Sequence, residues 1–307
     1  MANHLPHIAI ITDDPGWHGK QLTSALRKHG LTAHYLSLID CKFNFDNSGP
    51  MVQLPGFDSN QPIGVFVRGI PGGTLEQVIF RLDILHALGN LGIVIYNDSR
   101  SIERTVDKAM TTFLLKQAGL PTPPTWVFES TEQANLLCQS EIQSGHLLVL
   151  KPLFGSQGQG VHLINKDQYL VHDEMFAGLY YLQRYIEPSG SDWADIRVLV
   201  IDGKAVAAMH RRNNSWITNR AQGAKCEHLP LDATLSCLAE AAAAAINIDY
   251  AGVDLILDRQ GSLQVIEVNG IPAWWGLQGV TEFNIAQSLI DHFVRRIGEN
   301  HTLTQTS

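Results

Sequence analysis

The 307-residue sequence is short of cysteine and of basic side chains. Its four cysteines (Cys41, Cys138, Cys226 and Cys237) are scattered, with no C-x-x-C pair. That usage argues against a disulfide framework or a structural zinc site and fits a reducing compartment. Lys and Arg number 22 against 30 Asp and Glu, a formal net charge of −8, and the isoelectric point is near 5.9. No basic stripe exists to neutralise a run of phosphates, so nucleic acid is not an expected partner. No run of 18 apolar residues occurs, and no membrane span is expected. The amino terminus lacks the basic start, long apolar stretch and cleavage site of a secretory signal. A cytoplasmic protein is the expectation.

What is present alternates between strand and helix patterns. "HIAIIT" (7–12), "TAHYLSL", "IGVFVRG" and "GIVIYND" read as strands. Between them lie helical stretches, "KQLTSALRKHG" ending at Gly30 and "LEQVIFRLDILHALGNLG". This alternation predicts a parallel α/β sheet over residues 5–98. Residues 41–62, rich in Asn, Asp, Gly and Pro, read as a surface excursion. A helix within "SRSIERTVDKAMTTFLLKQAG" stops at Gly119, and Pro121, Pro123 and Pro124 make an extended connector. "HLLVLKP", "GVHLI", "YYLQRYIEP" and "IRVLVIDGKAVAAMHRR" are further strands, and "ATLSCLAEAAAAAINI" is a helix. Residues 298–307 read as a polar, frayed tail.

"GVDLILDRQGSLQVIEVN" places acids in a β-hairpin. A two-residue turn at Gln260 and Gly261 sets Arg259 opposite Ser262, and the same register sets Asp254 opposite Glu267. Asn269 then shares their face of the sheet. Two opposed carboxylates among Val253, Leu255, Val265 and Val268 repel and lose hydration. A divalent cation with oxygen ligands, Mg²⁺, would neutralise them, and its open positions suit phosphates. The alternative is that each acid pairs with an arginine or faces solvent, and spacing alone leaves the two even.

"VLKPLFGSQGQGVHLI" runs from strand through Lys151 into a loop with Gly155, Gly158 and Gly160, then strand again. No Lys-Ser/Thr pair or helix follows, so it is not a Walker A loop. A glycine-rich hairpin loop can still fold over phosphates and donate backbone N–H groups. Lys108 lies on the helix before the proline connector. A lysine, a glycine loop and a carboxylate hairpin in one chain form a phosphate-plus-magnesium constellation.

Five ordered segments carry a family resemblance: "NDSRSIERTVDKAMTTFLLKQAGLPTPPT", "LVLKPLFGSQGQGV", "LQRYIE…SDWADIRVLVIDGKAVAAMHRR", "WITNRAQGA" and "AGVDLI…LQVIEVNGIP". Together, over residues 97–292, they resemble the ATP-grasp superfamily, in its RimK-like branch of α-L-glutamate ligases, relatives of glutathione synthetase. The resemblance implies a pre-ATP-grasp α/β lobe (1–98), ATP-grasp subdomains at 99–182 and 183–297, and the tail. Lys108 and Lys151 would hold the α- and β-phosphates. Gly155, Ser156, Gln157, Gly158 and Gly160 would form the phosphate lid. Gln183, Arg184, Tyr185 and Ile186 occupy the adenine hinge, and Asp195 falls near the nucleotide. Asp254, Glu267 and Asn269 match magnesium ligands, with Mn²⁺ as a substitute. Arg211 matches the arginine that steadies an acyl phosphate, with Arg197 and Asn219 nearby.

The implied activity is an ADP-forming carboxylate–amine ligase, adding an amino acid, L-glutamate first among them, to a small or peptidic carboxylate. On this basis Asp254→Ala and Glu267→Ala are each expected to abolish turnover while the fold survives. The chain reads "AQGA" at 221–224 where the branch has an "HRGG"-like segment, and "GIPAWW" after "EVN" where it has small residues. Both border the acceptor pocket. Trp274 and Trp275 could stack a flat acceptor, or one fills the core and the other caps a cleft. Arg68, at the carboxyl end of a strand, could clamp a carboxylate or be structural. "RGIPGGTLEQ" and "RSIERTVDK" also look like members that add glutamate to carriers of the tetrahydromethanopterin or methylofuran type. Rival readings are a dipeptide or glutathione-synthetase-like ligase, a small-molecule kinase, and a nucleotide-dependent binding protein without turnover. A homo-oligomer is left open.

Overall fold

The computed structural model describes residues 7–46, 49–57, 60–155, 158–165, 170–171, 176–187, 193–220 and 223–305. The chain divides into two compact units. The first holds residues 1–103, 248–250 and 270–307, and the second holds 104–247 and 251–269.

The first unit begins with β1 (His7–Ile11), α1 (Gly16–Lys28), β2 (Thr32–Leu36), β3 (Lys42–Phe43), β4 (Val52–Gln53), β5 (Gly64–Val67), α2 (Leu75–Asn90) and β6 (Val94–Tyr96). Its main sheet has the order β2-β1-β5-β6, all parallel, as the alternation predicted. β1 and β5 are buried at nearly every position because helices cover a parallel sheet on both faces. α2 starts with a capping box, Thr74 and Gln77 bonding reciprocally across the first turn.

Residues 41–62 are more than a surface excursion. β3 and β4 pair antiparallel, and Cys41, Val52, Leu54 and Phe57 are buried in the same core as Ile11 and Val67. Their polar neighbours masked this contribution in the sequence.

After α3 (Ser99–Val106) the second unit follows, with α4 (Lys108–Gln117), β7 (Thr125–Phe128), α5 (Thr131–Gln143), β8 (Leu148–Lys151), β9 (His162–Ile164), β10 (Tyr180–Arg184), β11 (Trp193–Ile201), β12 (Lys204–Asn213), β13 (Lys225–Leu229), α6 (Ala233–Ile246), β14 (Tyr250–Leu257) and β15 (Leu263–Asn269). The helix foreseen through residue 118 is broken at Asp107. Its carboxylate accepts from the backbone N–H groups of Ala109 and Met110 and caps α4. Two sheets result, ordered β7-β10-β8-β9 and β13-β12-β11-β14-β15. The expected boundary at 182/183 cuts β10, which belongs wholly to the first of these sheets.

The chain then returns to the first unit as α7 (Trp275–Gln278) and α8 (Ile285–Gln305). α8 continues through the segment read as a tail. Phe293 and Ile297 lie so close to β5 that a side chain on Gly64 would come within 2.6 Å of Ile297. Residues 270–297 therefore belong to the first unit, with the amino-terminal sheet. Among the described residues no helix is long and apolar enough to cross a membrane.

Candidate active site

A cleft opens within the second unit, lined from both of its sheets. Val149, Val161, Ile186, Ile256 and Ile266 give it apolar walls. Lys108, Lys151, Asp195, Arg211, Asp254 and Glu267 supply its charge. Apolar walls with a few converging polar groups are the usual make-up of a ligand site.

Lys151 ends β8, and its Nζ donates to Gln183 Oε1 at 2.6 Å. Burial pushes its pKa down to about 8, against the pull of Glu267 and Asp254. Gln183 is buried and also donates to Thr125 Oγ1, so its side chain orients the lysine. Lys108 opens α4, and its Nζ donates to the Gly155 carbonyl at 2.9 Å and the Leu153 carbonyl at 3.4 Å. Burial lowers its pKa too. Lys108 thus braces the start of the glycine loop. At the far side, Gly158 (φ +72°) is packed so that an added Cβ would sit 2.6 Å from Asn219 Oδ1. Gly160 also has positive φ. Ser156 and Gln157 lie outside the described residues.

The hairpin pairs Asp254 with Glu267 and Gly252 with Asn269, the expected pairing reached by a different route. The turn spans three residues, Arg259–Gly261, closed by Asp258 N–H to the Ser262 carbonyl and Gly261 N–H to the Asp258 carbonyl. A bulge at Ile266 then shifts the register by one and cancels the difference.

The acids are not equivalent. Arg197 forks onto Asp254 with two bonds of 2.6 Å, and Arg211 reaches it at 3.1 Å. Arg211 also forks onto Asp195, at 2.6 and 2.5 Å, and Thr218 Oγ1 donates to the same carboxylate at 2.6 Å. Burial would raise the Asp254 pKa, but Arg197 and then Arg211 outweigh it and hold the group below the ordinary carboxylate range. Asp195 has only the shared Arg211, and burial lifts its pKa. For Arg211 the burial penalty is overcome by Asp254 and Asp195, which hold its proton on. For Asp254 the arginine alternative is therefore realised, and Asp195 engages Arg211 in place of an open nucleotide contact.

These two aspartates and two arginines balance one another. Glu267 stands outside the quartet, with no hydrogen bond or ion pair among the described residues, and its charge is felt by both lysines. Asn269 Nδ2 donates to the Gly252 carbonyl at 3.2 Å and Asp254 Oδ2 at 3.3 Å, which leaves Oδ1 as a donor of lone pairs. Among the described residues no group of three or more His, Cys, Asp and Glu is placed to hold a metal. Glu267 Oε, Asn269 Oδ1 and the remaining lone pair of Asp254 Oδ1, which accepts from Arg197 Nε while Oδ2 is taken up by three donors, make an all-oxygen, incomplete set. That set fits Mg²⁺, which completes its shell with water and phosphate. The lysine pair outnumbers Glu267, leaving positive charge for a polyphosphate.

At the end of β10, Arg184 forks onto Glu141, and the Arg184 and Tyr185 N–H groups bond Pro124 and Leu147 carbonyls. Ile186 lines the cleft with Tyr185, whose ring meets Trp216 edge-on at 6.0 Å and whose hydroxyl accepts from Trp193 Nε1 at 3.1 Å. Thr218, Trp193 and Trp216 escaped sequence reading. Only their position near "ITN" and "DIR" hinted at them.

The acceptor candidates belong to the first unit. Trp274 is 1% exposed and Trp275 51%, so one fills the core and the other faces outward. Arg68 lies over the Trp274 ring at 4.5 Å and donates to the Pro272 carbonyl at 3.0 Å. His18 meets the Trp274 edge, and burial, helped by Arg68, lowers its pKa to about 4, so it is neutral at pH 7. One face of Trp274 is therefore already covered by a guanidinium.

Fold and cleft together define an ATP-grasp ligase. The chain matches the RimK-like ATP-grasp domain over residues 105–293 and belongs to that family. It is 32% identical, over 297 residues, to a tetrahydromethanopterin:alpha-L-glutamate ligase of Methanococcus maripaludis, covering 92% of this chain and 96% of the relative. It is 30% identical over 305 residues to a "Probable alpha-L-glutamate ligase" of Legionella pneumophila, covering 96% and 98%. Among solved structures it superposes on the ATP-grasp ligase PsnB complexed with a phosphomimetic variant of its minimal precursor, Mg and ADP. There the TM-score is 0.74 and identity 18%, over 95% of this chain and 99% of that one. The RimK domain protein of Sphaerobacter thermophilus gives a TM-score of 0.67 at 18% identity, over 94% and 99%. The chain is an ADP-forming carboxylate–amine ligase.

Proposed function

We propose that this ligase adds L-glutamate to a carboxylate on a small carrier of the tetrahydromethanopterin type. The observation that carries the reading is the cleft itself. It sets two half-buried lysines, a glycine loop and Glu267 around one space, with Asn269 bonded to Asp254 of its wall. The choice of glutamate and carrier is supported by the likeness to the Methanococcus maripaludis enzyme along nearly the whole of both chains.

In the reaction a carboxylate oxygen of the carrier attacks the γ-phosphorus of ATP. The bond to the β-phosphate oxygen breaks and ADP leaves. The glutamate nitrogen then attacks the acyl carbon, the carbon–oxygen bond to phosphate breaks, and the nitrogen loses a proton to give the amide. Lys108 and Lys151 hold the phosphates against the walls of the cleft. Glycine-loop N–H groups and Asn219 cover them, and Arg211 faces the charge that develops on phosphoryl and acyl oxygens. Glu267, Asn269 and Asp254 would hold magnesium, or manganese in its place, which neutralises phosphate charge when bound. No protein nucleophile is required.

The test is mass spectrometry of an extract supplied with ATP and labelled glutamate, alongside ADP release from the purified protein. The reading expects label in a small-molecule amide and ADP release that needs both carboxylate and amine. Release needing one acceptor alone indicates a kinase, and binding without turnover a regulatory protein.

Lys151 makes nucleotide binding depend on pH. Below about pH 8 it is protonated in the free protein, and phosphate favours the ammonium and raises its pKa in the complex. ADP affinity, measured without divalent cation, is therefore expected to hold below pH 8 and fall as pH rises through it. Titration calorimetry at pH 8 in two buffers is expected to show uptake of about half a proton per ADP, lost in Lys151→Met.

A further inference from the structure

The segment between β12 and β13 touches three parts of the cleft that the proposed reaction keeps separate. Trp216 meets Tyr185 of the hinge. Ile217 and Asn219 close on Gly158 of the glycine loop, where an added Cβ would lie 3.0 and 2.6 Å from them. Thr218, between them, donates its hydroxyl to Asp195 at 2.6 Å. Asp195 in turn holds Arg211 in a two-pronged fork, with Arg211 only 3% exposed.

The segment is braced from within. Asn213 Nδ2 donates to the Ile217 carbonyl at 2.7 Å, and the Ile217 N–H donates to Ser215 Oγ at 3.2 Å. These two bonds brace the turn that carries Trp216, Thr218 and Asn219, so the contacts to Tyr185, Asp195 and Gly158 lie on one piece of held backbone.

We propose that Thr218 is a positioning residue for Arg211. The braced 213–219 segment tells that arginine whether nucleotide lies in the cleft. Thr218 lines the cleft, but its hydroxyl is committed to Asp195, and it acts through that carboxylate. Its hydroxyl fixes the rotation of the Asp195 carboxylate, because Oδ2 receives both Thr218 and Arg211 Nη2 while Oδ1 receives Arg211 Nε. Without it the carboxylate can rotate, and Arg211 leans toward its other partner, Asp254. The role rests on the ligase reading.

The test compares Thr218→Val, of the same shape without the hydroxyl, with Thr218→Ser, which restores it. In Thr218→Val kcat is expected to fall about 30-fold, short of the roughly hundredfold or greater loss that follows outright removal of a charge-stabilising donor. ADP affinity and Tm stay at wild-type values, and Thr218→Ser returns kcat to within about threefold. A wild-type kcat in Thr218→Val overturns the proposal. So does a loss of ADP affinity that accounts for the whole effect, or unfolding of both variants, since the hydroxyl would then be a binding or purely structural group.

A second measurement needs no turnover and so stands apart from the ligase reading. Hydrogen exchange at Arg211 Nε–H, assigned by its disappearance in Arg211→Lys, is expected to slow on adding ADP to the wild type. In Thr218→Val it is expected to be fast with or without ADP. Equal responses in both proteins contradict the coupling even if no substrate pair has been found.

Discussion

Glu267→Gln is expected to leave a folded protein whose turnover is at least about a thousandfold slower, because a cation ligand and its charge are lost together. Glu267 makes no hydrogen bond or ion pair among the described residues, so removing its charge strands no partner. The neighbouring lysines lose an attractive charge, and their pKa values fall further. Thermal unfolding is expected to stay within about 2 °C of the wild type, as for a surface-like substitution. Nucleotide binding without magnesium should be unharmed, since one negative charge near the phosphates is gone. Circular dichroism, ADP titration without metal and steady-state kinetics check the three parts. Wild-type kinetics would refute the role given to Glu267.

Asp254→Ala is expected to behave differently, although it opposes Glu267 in the same ladder. Asp254 is 4% exposed and is the meeting point of Arg197 and Arg211. Its loss leaves the poorly hydrated Arg197 guanidinium without its carboxylate and Arg211 with Asp195 alone. Breaking a buried pair from one side costs roughly 3–5 kcal/mol, a Tm decrease of about 10 °C for a unit of this size. Activity is lost as well, but partly through the fold. Asp254→Asn, which keeps shape and one acceptor oxygen, is expected to recover part of the stability and little of the activity. A Tm unchanged in Asp254→Ala would show that the quartet does not act as a unit. The expectation from sequence, that both alanine variants keep their fold, is thus revised for Asp254 and retained for Glu267.

The reason for that revision marks where the sequence stops being legible. Register along a hairpin is local, so Asp254 and Glu267 could be placed face to face from chain spacing. The placement survived because an unforeseen three-residue turn and an unforeseen bulge at Ile266 cancelled. Which arginine meets which acid is a matter of β11 lying beside β14. The partners Arg197 and Asp254 are 57 residues apart, and no local pattern encodes that.

The parallel sheet was readable because β1, β5 and β6 are continuous apolar runs bounded by turn residues. The strands β3 and β4 were not, since two-residue strands carry no period. Residues 270–297 were assigned with the acid hairpin that precedes them, yet they pack with the amino-terminal sheet. The glycine loop and lysines stood out as residue types. Thr218 did not, because a threonine in a polar loop is common and its meaning lies in one hydrogen bond to a buried aspartate.

The central claim is that Glu267 and Asn269 hold a cation against a nucleotide whose phosphates lie on Lys108 and Lys151. A crystal structure with ADP and magnesium tests it most directly. The account predicts a cation bonded to Glu267 and Asn269 oxygens and to phosphate, with both lysine Nζ atoms within hydrogen-bond reach of phosphate oxygens. A nucleotide bound elsewhere, or a cation in this cleft that avoids Glu267, would contradict it.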